Sequence, residues 1–209
     1  MKIILDFDDT IFNTGDWTEE LINIFTEEGF FREEYEVNYW KSKEEKGDFD
    51  ADFMIQLFSE SKQINKDKIK KEIKSTINKS KGFVYKDFFD FAKSFNKKDL
   101  TLVSAGLKEI QMGKIENAGI VSFFGKISIS LEYKSDEIEL IVKKYPSEKI
   151  FFIDDKAKQI DEAKKRLPEI VAIKMERITG RHILPKSESA DYIVKNLDEA
   201  RVIINELNK

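Results

Sequence analysis

Two carboxylates one residue apart, Asp6 and Asp8, follow the short apolar run Ile3-Ile4-Leu5 in Asp6-Phe7-Asp8-Asp9-Thr10. Alternate residues of a strand share a face, so the two acids start on one side of the chain. Carboxylates held that close repel, and one must be neutralised by a proton or a cation. A site containing Mg2+ and one protonated acid meets both demands. Ordinary helix-capping acids at a strand end have the same composition, so the pair needs company before it means chemistry.

Three further places supply it. Val103-Ser104-Ala105-Gly106 ends a second apolar run with a hydroxyl and small residues, which let backbone N–H groups approach a phosphate oxygen. Lys134 precedes Ser135, a candidate N-cap, where a lysine could hold a carboxylate and a phosphate together, although a solvated surface role is the default for any one lysine of so many. Ile150-Phe151-Phe152-Ile153 runs into Asp154-Asp155, two hard oxygen ligands where a ligand crevice should lie. Helix capping explains one acid of that pair more easily than both.

The elements that must position these groups are short strands and amphipathic helices. Lys2–Leu5, Leu100–Val103, Ile150–Ile153 and Ile170–Ile173 read as strands buried on both faces, with Ile127–Ile129 and Tyr192–Val194 as weaker candidates. Helical patterns lie between them at Phe88–Phe95, Ile138–Val142 and Ile160–Leu167. That alternation predicts an α/β fold, a Rossmann-like doubly wound parallel sheet. Residues 15–81 break it with helical spacing at Trp17, Leu21, Ile24 and Phe25, at Phe53, Leu57 and Phe58, and at Ile69, Ile73 and Ile77. The expected organisation is a core of residues 1–14 and 82–209 with an inserted α-helical unit over 15–81.

The order of these motifs resembles the haloacid dehalogenase-like (HAD) superfamily: Asp6-x-Asp8-x-Thr10, then Ser104, Lys134 and Asp154-Asp155. The resemblance spans nearly the whole chain, and residues 15–81 look like that family's helical C1 cap. It implies a Mg2+-dependent phosphohydrolase acting on a small phosphorylated metabolite. Asp6 would be the nucleophile forming an aspartyl-phosphate and a metal ligand; Asp8 would be general acid and base, its carbonyl binding the metal. Ser104 and the Ala105 N–H would hold phosphoryl oxygens, with Lys134 steadying Asp6. Asp155 is the first choice for the remaining metal ligand, with Asp154 acting through water. The crowd of acids around Asp8 would raise its pKa, as an acid working near neutrality requires. Many relatives carry Asp or Asn about four residues after the acid pair, where this chain has Gln159.

A phosphomutase would share every core motif. A non-enzymatic phospho-acceptor signalling module uses the same residue types, but with the acid pair first and the acceptor later. A dehalogenase needs neither an acid at Asp8 nor a metal-binding pair. Asp48, Asp50 and Asp52 lack the glycine and glutamate of a calcium loop and read as a helix start. His182 reads as loop surface, and Phe12, Trp17, Phe30, Phe31 and Trp40 chiefly as packing between cap and core.

Composition limits the alternatives. Thirty-six Lys and Arg against 40 Asp and Glu leave a net charge of −4, so there is no overall basic field for nucleic acid or an anionic membrane. The absence of cysteine excludes disulfides and thiolate-bound metals. The first apolar run is too short for a signal peptide, and no stretch reaches the ~20 apolar residues of a membrane span, so a cytoplasmic location is expected.

Overall fold

The computed structural model, which describes residues 1–130 and 133–209, contains a six-stranded sheet. Its strands are β1 (Lys2–Leu5), β2 (Leu100–Ala105), β3 (Lys126–Ser130), β4 (Ile150–Asp154), β5 (Val171–Met175) and β6 (Tyr192–Val194). They lie in the order β3-β2-β1-β4-β5-β6, and every pairing is parallel. β1 and β4 are buried along their full lengths, as apolar strands covered on both faces must be. The order reverses between β1 and β4, and it is beyond the carboxyl ends of such a pair that an open parallel sheet leaves a crevice.

The expected strands are all present, two of them with the expected bounds. β2 and β4 run on into the motif residues Ser104, Ala105 and Asp154. β5 begins one residue late and continues through Lys174 and Met175, both fully buried. A lysine disguises that continuation in the sequence; its Nζ donates to the His182 carbonyl at 2.8 Å.

Between β1 and β2 come α1 (Thr14–Glu27), α2 (Arg32–Lys46), α3 (Ala51–Ser61), α4 (Lys66–Asn78) and α5 (Asp87–Lys93). The remaining helices are α6 (Lys108–Asn117), α7 (Ser135–Lys144), α8 (Ala157–Arg166) and α9 (Leu197–Leu207). Local chemistry sets the starts: the side chains of Asn13, Asp50 and Asn65 accept from the backbone of Asp16, Phe53 and Lys68. Asp50 is therefore a cap and Asp52 pairs with Lys70, which agrees with a helix start rather than a calcium loop. Ser135 is not the cap of α7 as expected. Lys134 takes that position, and the Ser135 hydroxyl accepts from Arg166 instead.

Helices α2, α6 and α9 go beyond the expected set. Among the described residues, no helix is long and apolar enough to cross a membrane. One apolar cluster joins Ile3 and Leu5 of the sheet to Trp17, Leu21, Phe25 and Phe58 of the inserted helices. At Gly113 a Cβ would lie 3.3 Å from Ile77, so the glycine sets how closely α4 and α6 approach.

Candidate active site

The sheet topology brings the four motifs to one place. Asp6 follows β1, its backbone N–H donating to the Ile153 carbonyl of the neighbouring strand at 2.9 Å. That bond ties the two acid-bearing strand ends together. Lys134 is buried between them, with Nζ 2.5 Å from Asp6 Oδ1 and 2.6 Å from Asp154 Oδ2. Burial disfavours its charge, but Asp154 and Asp6 more than compensate and hold the ammonium well above the ordinary lysine range. Lys134 is presented by the start of α7, and its N–H donates to Gln159 Oε1 at 3.1 Å. The departure at position 159 thus anchors the lysine's backbone.

Asp154 and Asp155 have opposite surroundings. Asp154 uses one oxygen on Lys134 and the other on the Lys156 N–H, at 2.8 Å. Both Asp155 oxygens are buried with no hydrogen-bond partner among the described residues. Burial, with Asp6 and then Asp154 nearby, pushes the Asp155 carboxyl well above its usual range. Ligand atoms of Asp6, Asp154 and Asp155 lie within 4.8 Å of one another, and so do those of Asp9, Asp155 and His182. Hard, buried, unpartnered carboxylate oxygens beside a second carboxylate fit a divalent cation such as Mg2+.

The turn after β1 fixes the position of Asp8, which is buried. The N–H groups of Ile11 and Phe12 both donate to the Phe7 carbonyl, and Asp9 adopts φ 54°, a left-handed conformation that Asp tolerates better than most residues. Asp8 Oδ1 accepts from Thr14 Oγ1 and Lys114 Nζ, each at 2.7 Å, while Oδ2 accepts from Gln111 Nε2 at 2.6 Å. Lys114 Nζ also lies 4.9–5.4 Å from the ring centres of Trp17, Phe7 and Phe12. Burial alone would raise the Asp8 pKa, but the charge and hydrogen bond of Lys114, with Arg181 and Gln111 behind them, win and hold it well below the carboxylate range. The crowding expected to raise it is outweighed by a cation the sequence did not point to.

Other residues fix the same turn. Arg177 donates to the Thr10 carbonyl from Nε and Nη2 and forms a paired contact with Asp87. Arg181 Nε reaches Asp9 Oδ2 at 2.8 Å. On β2, Ser104 Oγ is buried and has no partner among the described residues. Gly106 has φ 138°, and a Cβ there would collide with the Asp48 carboxylate from the inserted helices. Ala105, Gly106, Asp8, His182 and Gln159 line one cavity of about 590 Å³ that extends under α1 and α2. His182 is therefore at the site rather than on open surface. Phe12 and Phe30 are core, Trp17 is buried at the cavity wall, and Phe31 and Trp40 are exposed.

With its parallel sheet in the order 3-2-1-4-5-6, this chain has the fold of proteins described as haloacid dehalogenase-like hydrolases. A protein described as a haloacid dehalogenase-like hydrolase, from Burkholderia xenovorans, matches with a TM-score of 0.76 and 16% identity over 95% of this chain and 96% of its own. A HAD hydrolase of Bacillus subtilis, determined with magnesium bound, gives 0.66 and 16% over 98% of each chain. An L-2-haloacid dehalogenase of Xanthobacter autotrophicus gives 0.67 and 11%, again over 98% of each. No family profile and no curated protein matches the sequence.

Proposed function

We propose that the chain is a HAD-superfamily phosphohydrolase, Mg2+-dependent, cleaving small phosphate monoesters through an aspartyl-phosphate on Asp6. The observation that carries this reading is the set of unpartnered oxygens around Asp6. Asp155 offers both carboxylate oxygens and Ser104 its hydroxyl, all buried. Groups left unsatisfied at such cost suit a cation on one side of the nucleophile and a phosphoryl oxygen on the other. With Asp6, the Asp8 carbonyl and Asp155 as its ligands, Mg2+ would supply charge neutralisation for the phosphoryl group.

This chain's own groups do the rest. Asp6 attacks phosphorus while Lys134 aligns its carboxylate. Ser104 and the Ala105 N–H hold the phosphoryl oxygens. Asp8, held ionised in the resting site by Lys114, takes up the proton of the phosphate monoanion and passes it to the departing oxygen, then takes one from the water that cleaves the acyl phosphate. Phosphoryl transfer depends mainly on such positioning and charge stabilisation. A carbon–halogen substrate would use neither the acid/base at Asp8 nor the vacant oxygens of Asp155, which is why the phosphatase reading is preferred among enzymes of this fold. Residues 15–81 act as the cap that encloses the leaving group.

The test is phosphate release from a panel of phosphorylated metabolites with Mg2+ or EDTA, for wild type and Asp6→Asn. Metal-dependent turnover that falls at least ~10³-fold in a folded Asp6→Asn protein is expected, because an amide cannot attack. Near-wild-type activity of that variant would overturn the mechanism. Phosphate moved between two positions of a sugar, instead of released, would make the enzyme a mutase.

A further inference from the structure

The cavity beside Asp8 is much larger than a phosphoryl group needs, so most of its ~590 Å³ belongs to whatever the phosphate leaves behind. Its outer wall is aromatic. Tyr35 and Tyr39 of α2 lie parallel, 8° between planes and 6.4 Å between centres, and Trp40 packs edge-on to Tyr39 while remaining 58% exposed. Its charge is one-sided: of the Asp, Glu, Lys and Arg residues lining it, five are basic and only Asp8 and Asp48 acidic. Lys114 is consumed by Asp8, and Asp48 sits over Gly106 at the inner end.

Three of the remaining cations converge from different elements: Lys43 from α2, Lys156 ahead of α8, and Arg181 from the loop after β5. Among the described residues, neither Lys43 nor Lys156 forms an ion pair; Lys43 lies over the Trp40 ring at 5.1 Å. His182 lines the same cavity beside them. The pKa of Lys43 is pushed down by burial and by Lys156. Arg181 keeps its Nε on Asp9, and Asp48 lies near Lys43, but two unpaired lysines kept together beside an aromatic space suit an anion.

We propose that the leaving group of this enzyme's substrate is itself anionic: a flat or short apolar spacer lies along Tyr39 and Trp40 and presents a carboxylate or a second phosphate to Lys43, Lys156 and Arg181. This inference rests on the phosphohydrolase reading for its orientation, with the scissile phosphate at Asp6, but the subsite can be tested without turnover.

The first experiment compares kcat/KM for phenyl phosphate, 4-carboxyphenyl phosphate and 1,4-phenylene bisphosphate in wild type, Lys43→Ala and Lys156→Gln. The anionic esters should be preferred roughly tenfold or more in wild type, the scale of one charge-assisted contact. That ratio should fall several-fold toward unity in each variant, while intrinsic leaving-group effects cancel between proteins. The better of the two anionic esters identifies the anion. The second experiment titrates benzylphosphonate and 4-carboxybenzylphosphonate with Mg2+ present, following the fluorescence of Trp17 and Trp40. A preference for the carboxylated phosphonate, lost in Lys43→Ala, supports the anionic subsite even if no ester is hydrolysed, in which case only the phosphohydrolase reading fails. Equal affinity, no binding of either phosphonate at millimolar concentration, or a preference that both lysine variants retain overturns the inference.

Discussion

Replacing Lys114 with Met removes a charge while keeping the length of an apolar stem. Lys114 is only 3% exposed, and its ammonium lies 2.7 Å from Asp8 inside a wall of three aromatic rings. Removing one member of a buried pair typically costs about 3–5 kcal/mol, because the other charge is stranded. Asp8 can escape part of that cost by taking up a proton, and the sign of the pH dependence follows. In the wild type the folded pKa of Asp8 lies below the ordinary value of 3.8, so its ionised form stabilises the fold above that pH. Without Lys114 the push from burial dominates, and the folded pKa moves above 3.8. The penalty of the variant should therefore grow by up to ~1.4 kcal/mol per pH unit up to the raised pKa and stay flat beyond it. At pH 7 a loss of about 3 kcal/mol would lower the Tm by roughly 6–12 °C for a chain of this size. Thermal melts from pH 4 to 8 in EDTA measure this directly. Kinetics provides a second readout. A protonated Asp8 is a better acid, so the preference for aryl over alkyl phosphates should narrow in the variant. A Tm deficit independent of pH, together with an unchanged aryl-to-alkyl ratio, would show that Lys114 does not control Asp8.

Three further outcomes follow from the same geometry. Isothermal titration with Mg2+ should show Asp155→Asn losing at least ~10-fold more affinity than Asp154→Asn, since Asp154 already spends its oxygens on Lys134 and the Lys156 N–H; the reverse ranking would exchange their roles. His182 has a folded pKa of about 4 against 6.5, so the unfolded chain binds more protons and stability is lost as pH falls from 6.5 toward 4. After solvent screening this amounts to about 1–2 kcal/mol, and the acid-side slope of Tm should be shallower in His182→Gln. Gly106→Ala places a Cβ at φ 138° against Asp48 and should cost about 1–3 kcal/mol in urea melts, with weaker binding of inorganic phosphate; a neutral result would mean the Asp48 approach is easily relieved.

The strand set and the motif positions were legible because buried parallel strands are short apolar runs and the chemistry sits at their ends. Asp6, Asp8, Ser104, Lys134, Asp154 and Asp155 are all at the carboxyl edge of the sheet, around the reversal between β1 and β4. What stayed hidden was polar burial. Helix α6 turns Gln111, Lys114 and Ile115 inward, and two of the three are polar because they hold Asp8. A stripe that would announce a core helix if apolar looks like solvated surface when it carries Gln and Lys. Lys174 hides the end of β5 in the same way. Among 36 Lys and Arg, no sequence pattern separates the few that are buried from the many that are not. Arg181 and His182 were missed for another reason: they reach the site from a loop after β5, far in sequence from Asp9 and without periodicity.

The inserted helices are bound to Asp8 at their root, which bears on how they would act as a cap. Thr14 opens α1 and donates to Asp8, and Trp17, one turn later, lies over Lys114. Leu21 and Phe25 continue the same face into the cluster shared with β1. A displacement of α1 would therefore pull a hydrogen bond from Asp8 and uncover its counter-cation together, while the contact of Asp48 with Gly106 would open at the other side of the cavity. On the proposed reading, enclosing the leaving group and setting Asp8 in place would be one movement. In the proposed enzyme such coupling would give the inserted helices leverage over the chemistry as well as over selection, since a leaving group that holds α1 down would also hold Asp8 in place.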